Sequence, residues 1–337
     1  MRSVSPAIET LGLEREFGGG VKAVAGIDLA VAPGEVYGFL GPNGAGKTTT
    51  VRMLVTLLRP TGGRATVAGF DVATQPGEVR RRIGVALQEA ALDLLMTGRE
   101  LMELQATLHG IAPRDVRGRA ADLIQRVGLE QAAERRVGTY SGGMRRRLDL
   151  AMALIHAPEV LFLDEPTTGL DPVSRLTLWD EVRRLRDEGT TVFLTTQYLE
   201  EADQLADRVG IINAGRIVAE GTPAALKAEV GMPHLDVTLA GEAPDIAGAQ
   251  AAVAAIGPCR VAPDGVHFSI GVREGAAAIA PVVRALDEAG IEVEGIELVR
   301  PTLDDVFVEK TGRHLEGAGS GAAAVPGDEE PQAEAVA

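Results

Sequence analysis

Hydrophobic residues along this chain fall first into short apolar runs, then into helical spacing, then into short runs again. Runs at residues 8–13, 23–31 and 36–40 predict strands, with Gly18-Gly19-Gly20 and Pro33-Gly34 supplying the turns. Between 48 and 58 the apolar positions Val51, Leu54, Val55 and Leu58 recur on one helix face. A strand at 64–67, a short helical piece at 78–82 and an apolar strand at 83–87 follow, the last ending at Gln88. Residues 97–156 turn helical, through Leu101, Leu104 and Leu108, a second run at 116–127 and a third at 144–155. Short strands return at 160–163, 191–194 and 209–212, with helices at 172–187 and 199–206 between them. Asn213-Ala214-Gly215 reads as a hairpin turn into a strand at 216–219. Strands alternating with helices predict an α/β fold whose mainly parallel sheet carries a helical insertion.

A second unit starts near Pro233. A strand at 234–239, a helix at 246–256, a hairpin at 259–272 broken at Pro263-Asp264-Gly265, a helix at 277–289 and a strand at 291–298 give the order βαββαβ. That is the split βαβ of ferredoxin-like α+β domains. The expected division is 1–230, with a helical subdomain over about 97–156, then 233–312 as an accessory domain. Residues 315–337 are Gly, Ala, Pro and acid, too poor in apolar groups to bury a core, and are expected to be disordered.

Charge separates the same parts. Residues 1–230 hold 27 basic and 30 acidic side chains, whereas 231–337 hold 6 and 18 and so carry −12 of the net −15. So acidic a C-terminal part repels phosphate backbones, which argues against a nucleic-acid partner. Cys259 is alone, so there is no disulfide framework, as in a reducing compartment. Residues 1–20 lack the apolar stretch of a secretory signal, and no run of eighteen apolar residues offers a membrane span. The five histidines show no metal-ligand spacing, so a zinc site is not expected.

The chemistry concentrates in three stretches. Gly41-Pro42-Asn43-Gly44-Ala45-Gly46-Lys47-Thr48-Thr49 fits the phosphate-binding loop, between an apolar strand and a helix whose N-terminus favours an anion. A dinucleotide fingerprint is excluded, because its third glycine would fall on Thr49. Val160-Leu161-Phe162-Leu163-Asp164-Glu165 is a buried strand that delivers two carboxylates to the sheet edge where α/β ligands bind. Asp164 suits Mg²⁺ beside the Thr48 hydroxyl, and Glu165 suits the proton of an attacking water; a solvated strand end is the plainer alternative. Ser141-Gly142-Gly143 opens a helix and offers a second anion site, or else Ser141 is simply an N-cap.

In Tyr140-Ser141-Gly142-Gly143-Met144, Ser141 lies 94 residues after Lys47 and 23 before Asp164. With these motifs the chain resembles, over residues 7–222, the nucleotide-binding subunit of an ATP-binding-cassette (ABC) transporter. The resemblance implies ATP and Mg²⁺ as cofactors. It assigns Phe17 to stacking on adenine, though an ordinary strand aromatic would look alike. It assigns Gln88 to Mg²⁺ or the attacking water and to sensing a membrane partner, and Asp171, in Gly169-Leu170-Asp171, to linking two nucleotide sites. Asp171 read alone is an N-cap. The family closes each ATP between one copy's P-loop and the other copy's Ser141–Gly143 stretch, which implies a homodimer and a separate transmembrane permease, with this chain peripheral on the cytoplasmic face. Where most of the family has histidine facing the γ-phosphate, this chain has Gln197, which donates a neutral N–H but carries no charge.

Gln197 also narrows the likeness. Thr195-Thr196-Gln197-Tyr198 and the residues up to Arg208, Met96-Thr97-Gly98-Arg99-Glu100-Leu101, and Pro301-Thr302-Leu303-Asp304-Asp305-Val306-Phe307 all resemble the daunorubicin-resistance subfamily of exporter ATPases. The last stretch is also an amphipathic helix that would dock Leu303, Val306 and Phe307 into a core. The implied cargo is a drug or amphipathic natural product, with a lipid, glycan or peptide exporter as the alternative. A soluble ATP switch of repair, chromosome or translation type fits poorly: there is no room for heptad arms, one cysteine, one cassette, and an acidic C-terminal part.

Overall fold

A computed structural model describes residues 5–87, 92–241, 245–262, 266–273 and 275–314. In order these form β1 (Ile8–Phe17), β2 (Val21–Val31), β3 (Val36–Leu40), α1 (Lys47–Leu54), β4 (Gly62–Val67), β5 (Phe70–Asp71), α2 (Pro76–Arg82) and β6 (Ile83–Ala86). The helical part holds α3 (Gly98–Leu108), α4 (Pro113–Arg126) and α5 (Gly142–Ala153). Then come β7 (Val160–Asp164), α6 (Pro172–Asp187), β8 (Thr191–Thr196), α7 (Leu199–Leu205), β9 (Arg208–Asn213), β10 (Arg216–Gly221) and α8 (Pro223–Val230). The C-terminal part is β11 (His234–Leu239), α9 (Ile246–Val253), β12 (Cys259–Val261), β13 (His267–Gly271), α10 (Ile279–Glu288), β14 (Val293–Val299) and α11 (Leu303–Thr311).

Three sheets result. A six-stranded sheet runs β10-β9-β3-β8-β7-β6, parallel except where β10 pairs antiparallel with β9. Its central strands β3 and β7 are buried at every residue, which is why they read as uninterrupted apolar runs. An antiparallel sheet, β2-β1-β4-β5, packs against it through one core that joins Ile8, Leu13 and Val67 to Tyr37, Phe39, Phe162 and Phe193. Phe193 is central there, with Tyr37, Phe39 and Phe162 ring centroids 5.5 to 5.7 Å away. A second core, holding Leu123, Leu148, Leu161 and Val182, fastens the helical part to the sheet. The third sheet, β12-β13-β11-β14, is antiparallel throughout and has the ferredoxin-like strand order. The turn expected at 263–265 and the tail at 315–337 lie outside the described residues.

Some boundaries move. The helix expected over 48–58 ends at Leu54, because Thr56 takes a φ of 66° and the N–H groups of Leu57 and Leu58 both turn back to the Arg52 carbonyl. Helix α8 was not expected at all. Thr222 caps it by accepting from the Ala225 N–H, and Pro223 sits at its first position, a start signal present in the sequence.

α11 departs further from the expected division. Leu303, Val306 and Phe307 do enter a core, but it is the one formed by Leu40, Ala202, Val209, Ile211 and Leu226 of the N-terminal part. Lys310 reaches Glu229 of α8 at 3.2 Å, and the Arg313 guanidinium donates to Asn213 Oδ1 at 3.0 Å. The chain passes through the third sheet and comes back to close the end of the first unit.

Candidate active site

The glycine loop follows β3 and is shaped by what surrounds it. A Cβ on Gly41 would strike the Ile212 carbonyl oxygen, and one on Gly46 the Ala23 carbonyl oxygen. Gly44 and Gly46 also hold φ of 77° and 108°, which favour glycine. Pro42 accepts the Ala45 N–H at 3.2 Å, and the Ala45 carbonyl accepts from Gly215 at 2.9 Å. Asn43 and Gly44 stand exposed at the loop's tip, and Thr48 and Thr49 are half-buried in the first turn of α1. No side chain caps α1, so its leading N–H groups are left for a ligand.

Lys47 is only 4% exposed. Its Nζ donates to the carbonyls of Gly41 at 2.7 Å and Pro42 at 3.1 Å, and lies 3.3 Å from Glu165 Oε1. Burial pushes the ammonium below its usual pKa, against the pull of the Glu165 and Asp164 carboxylates. Asp164 ends β7, and its Oδ1 accepts from the Thr195 hydroxyl and, at 3.4 Å, from the Thr48 hydroxyl. Asp164 Oδ2 is buried with no hydrogen-bond partner, an expensive arrangement for a carboxylate oxygen. Glu165 holds a φ of 48°, rare for a residue with a side chain, and its N–H donates to the Thr195 carbonyl at 3.0 Å. Gly41 N–H donates to the Thr196 carbonyl at 3.3 Å, so the half-buried Gln197 leaves β8 beside the loop and both acids.

A second group forms around α5. Ser141 caps it, accepting the Met144 N–H at 3.2 Å, and Ser141 and Gly142 are exposed. Gly143 is buried against α6, where a Cβ would come within 2.7 Å of Ser174 Oγ. Asp171 caps α6 through the Ser174 N–H at 2.9 Å and hydroxyl at 2.5 Å, contacts that hold its carboxyl below the usual range. Ser141 and Asp171 are therefore both caps. Phe17 ends β1, 40% exposed, with the Arg15 guanidinium 4.7 Å from its ring centroid. It pairs with Val21 at the tip of the hairpin whose Ala23 carbonyl abuts Gly46, so that tip lies on the loop's flank. Gln88 lies outside the described residues.

Two residues escaped the reading of the sequence. Thr195 holds both the Asp164 carboxylate and the Glu165 backbone. Arg146 is buried, and its guanidinium donates to the carbonyls of Leu87, Asp164 and Pro166 and reaches Asp149 at 3.3 Å. A signal existed: Gly143, Arg146, Leu150 and Ala153 are spaced along one helix face, and all four are buried.

Beside β6 a cavity of about 510 Å³ is lined by Val85, Leu87, His109, Asp149 and His156 among others. The two imidazoles stack with centroids 4.0 Å apart. Burial, with His109 adding to it, holds His156 down at about 4. Unfolded, that ring would titrate near about 6.5, so on acidification the unfolded chain gains a proton that the folded one refuses. His156 thus lowers stability as pH falls from about 6.5 to 4. Asp149, pushed by burial up to about 6, acts oppositely because the folded protein protonates it first. In His156→Gln the melting temperature should therefore fall less on acidification over that range than in the wild type. Equal pH slopes would refute the assignment.

The arrangement, a P-loop strand beside an Asp-Glu strand with a Ser-Gly-Gly helix on a helical insertion, defines an ATP-hydrolysing cassette. Comparison with known proteins agrees. Residues 24–168 match the ABC transporter family model, and residues 221–311 match the C-terminal domain model of DrrA1-3-like ATP-binding proteins. The daunorubicin resistance ATP-binding protein DrrA3 of Streptomyces coeruleorubidus is 53% identical over 306 residues, covering 91% of this chain and 96% of that protein. A Nod factor export ATP-binding protein I of Burkholderia orbicola is 41% identical, covering 70% of this chain and 77% of its own length. The dimeric structure of MJ0796, a bacterial ABC transporter cassette, superimposes with a TM-score of 0.60 at 25% identity, over 64% of this chain and 98% of that one. The chain belongs to the ATP-binding proteins of ABC transporters, in the branch that contains the DrrA-type resistance proteins.

Proposed function

We propose that this chain drives export of a drug or amphipathic natural product through a separate permease, as a pair of copies that close on two ATP molecules. The observation that carries the chemistry is Lys47 Nζ, 3.3 Å from Glu165 and beside an Asp164 that already accepts from Thr48. On this reading the loop from Gly41 to Thr49 wraps the ATP phosphates with its N–H groups. Lys47 exchanges its carbonyl contacts for the β- and γ-oxygens. Glu165 takes the proton of the attacking water, and Gln197 donates to the γ-phosphate. Phe17 stacks on adenine, and Gln88 reports occupancy to the permease.

The unpartnered Asp164 Oδ2 and the Thr48 hydroxyl fit Mg²⁺, with Gln88 as a further ligand. Among the described residues no cluster of three His, Cys, Asp or Glu could hold a metal alone, and Mg²⁺ ordinarily relies on one or two carboxylates plus substrate phosphates. When bound it would neutralise charge that develops on the phosphates.

The exposed Ser141 and Gly142 and the cap Asp171 suit a second copy, Ser141 to Gly143 covering the γ-phosphate of the opposite site. Dimerisation is supported by the dimeric cassette with the same fold. Among the described residues no helix is long and apolar enough to cross a membrane, which supports a peripheral subunit working beneath a permease seated in the groove beside β6. Drug cargo is supported by the resistance relative, which matches through the C-terminal domain. The Nod factor export relative, whose name points to a different cargo, covers a smaller share of this chain.

The test is co-purification from membranes with and without the candidate permease, followed by ATPase assay against a panel of amphipathic drugs. Permease-dependent membrane association and drug-stimulated turnover are expected. Drug-insensitive turnover with no association would sink the exporter reading.

A further inference from the structure

Arg146 lies just over one turn into α5, behind the Ser141–Gly143 stretch, where a buried arginine is unusual. Apart from the Asp149 carboxylate at 3.3 Å, each of its partners is a backbone carbonyl at the catalytic edge. Nη2 donates to Asp164 at 2.8 Å and Nε to Pro166 at 3.0 Å, so the fork straddles Glu165. Nη1 donates to Leu87, just past the end of β6. Between the two held carbonyls, Glu165 keeps its left-handed φ of 48°. Such a conformation persists only where its surroundings over-determine it. Its N–H is held from one side by Thr195, and Arg146 supplies the contacts on the other. Arg145 and Arg147 bond elsewhere, to Gly138 and to Val127 and Gly128, so the fork belongs to position 146 alone.

We infer that Arg146 is a positioning residue for ATP hydrolysis: its guanidinium fastens the helix that begins at Ser141 to the backbone on both sides of Glu165 and to the end of β6. This rests on the reading of Glu165 as the base. Because Ser141 would serve the opposite copy's ATP, the tie passes the seating of one site to the acid of the other. Lysine cannot replace it, since a point charge on a flexible stem does not bridge three carbonyls.

The test uses the full chain, with Arg146→Lys and Arg146→Gln, alone and combined with Glu165→Gln. Binding of a fluorescent ATP analogue, kcat, KM and melting temperature are read for each. A misplaced base should lower kcat by about 30- to 100-fold in both single variants while analogue affinity and KM stay within about threefold. In the Glu165→Gln background, Arg146→Gln should cost less than about threefold more, because both changes act through one group. Wild-type kcat in either variant overturns the inference. So does parallel loss of analogue binding and of the cooperative melt, which would make Arg146 a part of the fold only. Multiplicative losses in the double variant would also overturn it. Failure of the underlying reading looks different: Glu165→Gln alone would turn over normally.

Discussion

Glu165→Gln is expected to slow ATP turnover by about 10²- to 10⁴-fold while ATP binding changes by less than about tenfold. The amide has the volume of the carboxylate but cannot take a proton from water. Its carbonyl oxygen can still accept from Lys47, which also keeps its bonds to Gly41 and Pro42. Asp164 is untouched, so the phosphate-binding end of the site survives. The backbone at φ 48° places the same demand on either side chain. Steady-state kinetics with an equilibrium measurement of ATP binding separates the two effects. Turnover within about threefold of wild type would mean that Glu165 is not the base; lost binding would mean that its carboxylate chiefly holds Lys47.

The second large effect concerns stability. Phe307→Ala should cost about 3–5 kcal/mol, the range for removing a fully buried phenylalanine without collapse of the site. The ring is 0% exposed and packs with Leu303 and Val306 of α11 against Leu40, Ala202, Val209 and Ile211. The cavity would therefore open beneath the strand that leads into the P-loop. Urea unfolding followed by circular dichroism checks it, with Val261→Ala, an exposed strand position, as a control expected within about 0.5 kcal/mol. A loss below about 1 kcal/mol for Phe307→Ala would show that α11 does not seal that end of the sheet.

Legibility followed the range of the interactions. The P-loop could be read because its demands are local. Gly44 and Gly46 adopt left-handed φ, Lys47 and Thr48 follow in the first helical turn, and an apolar strand precedes them. The Asp164-Glu165 pair was readable for a like reason, since a buried parallel strand is an apolar run and its end is where polarity returns. The ferredoxin-like order emerged from periodicity and turn residues, though α9 and α10 proved shorter than their apolar spacing implied. The end of α1 was misjudged because Leu58 continues the apolar spacing of Val51, Leu54 and Val55 after Thr56 has broken the backbone pattern.

The sequence by itself determined the local chemistry: a phosphate loop, a carboxylate pair, a capped Ser-Gly-Gly helix, and two units of different charge. Only the tertiary structure decided how these meet. Thr195 and Arg146 act on Asp164 and Glu165 from positions 31 and 18 residues away along the chain, a coupling that no local pattern contains. α11 follows the third sheet in sequence yet packs on the first unit, because the apolar face of Leu303, Val306 and Phe307 finds its complement on β9, α7 and α8. Periodicity specifies that a face must be buried and leaves open against what. That choice belongs to the shape of the whole chain, where apolar area leaves water only if a partner surface of matching contour is already in place.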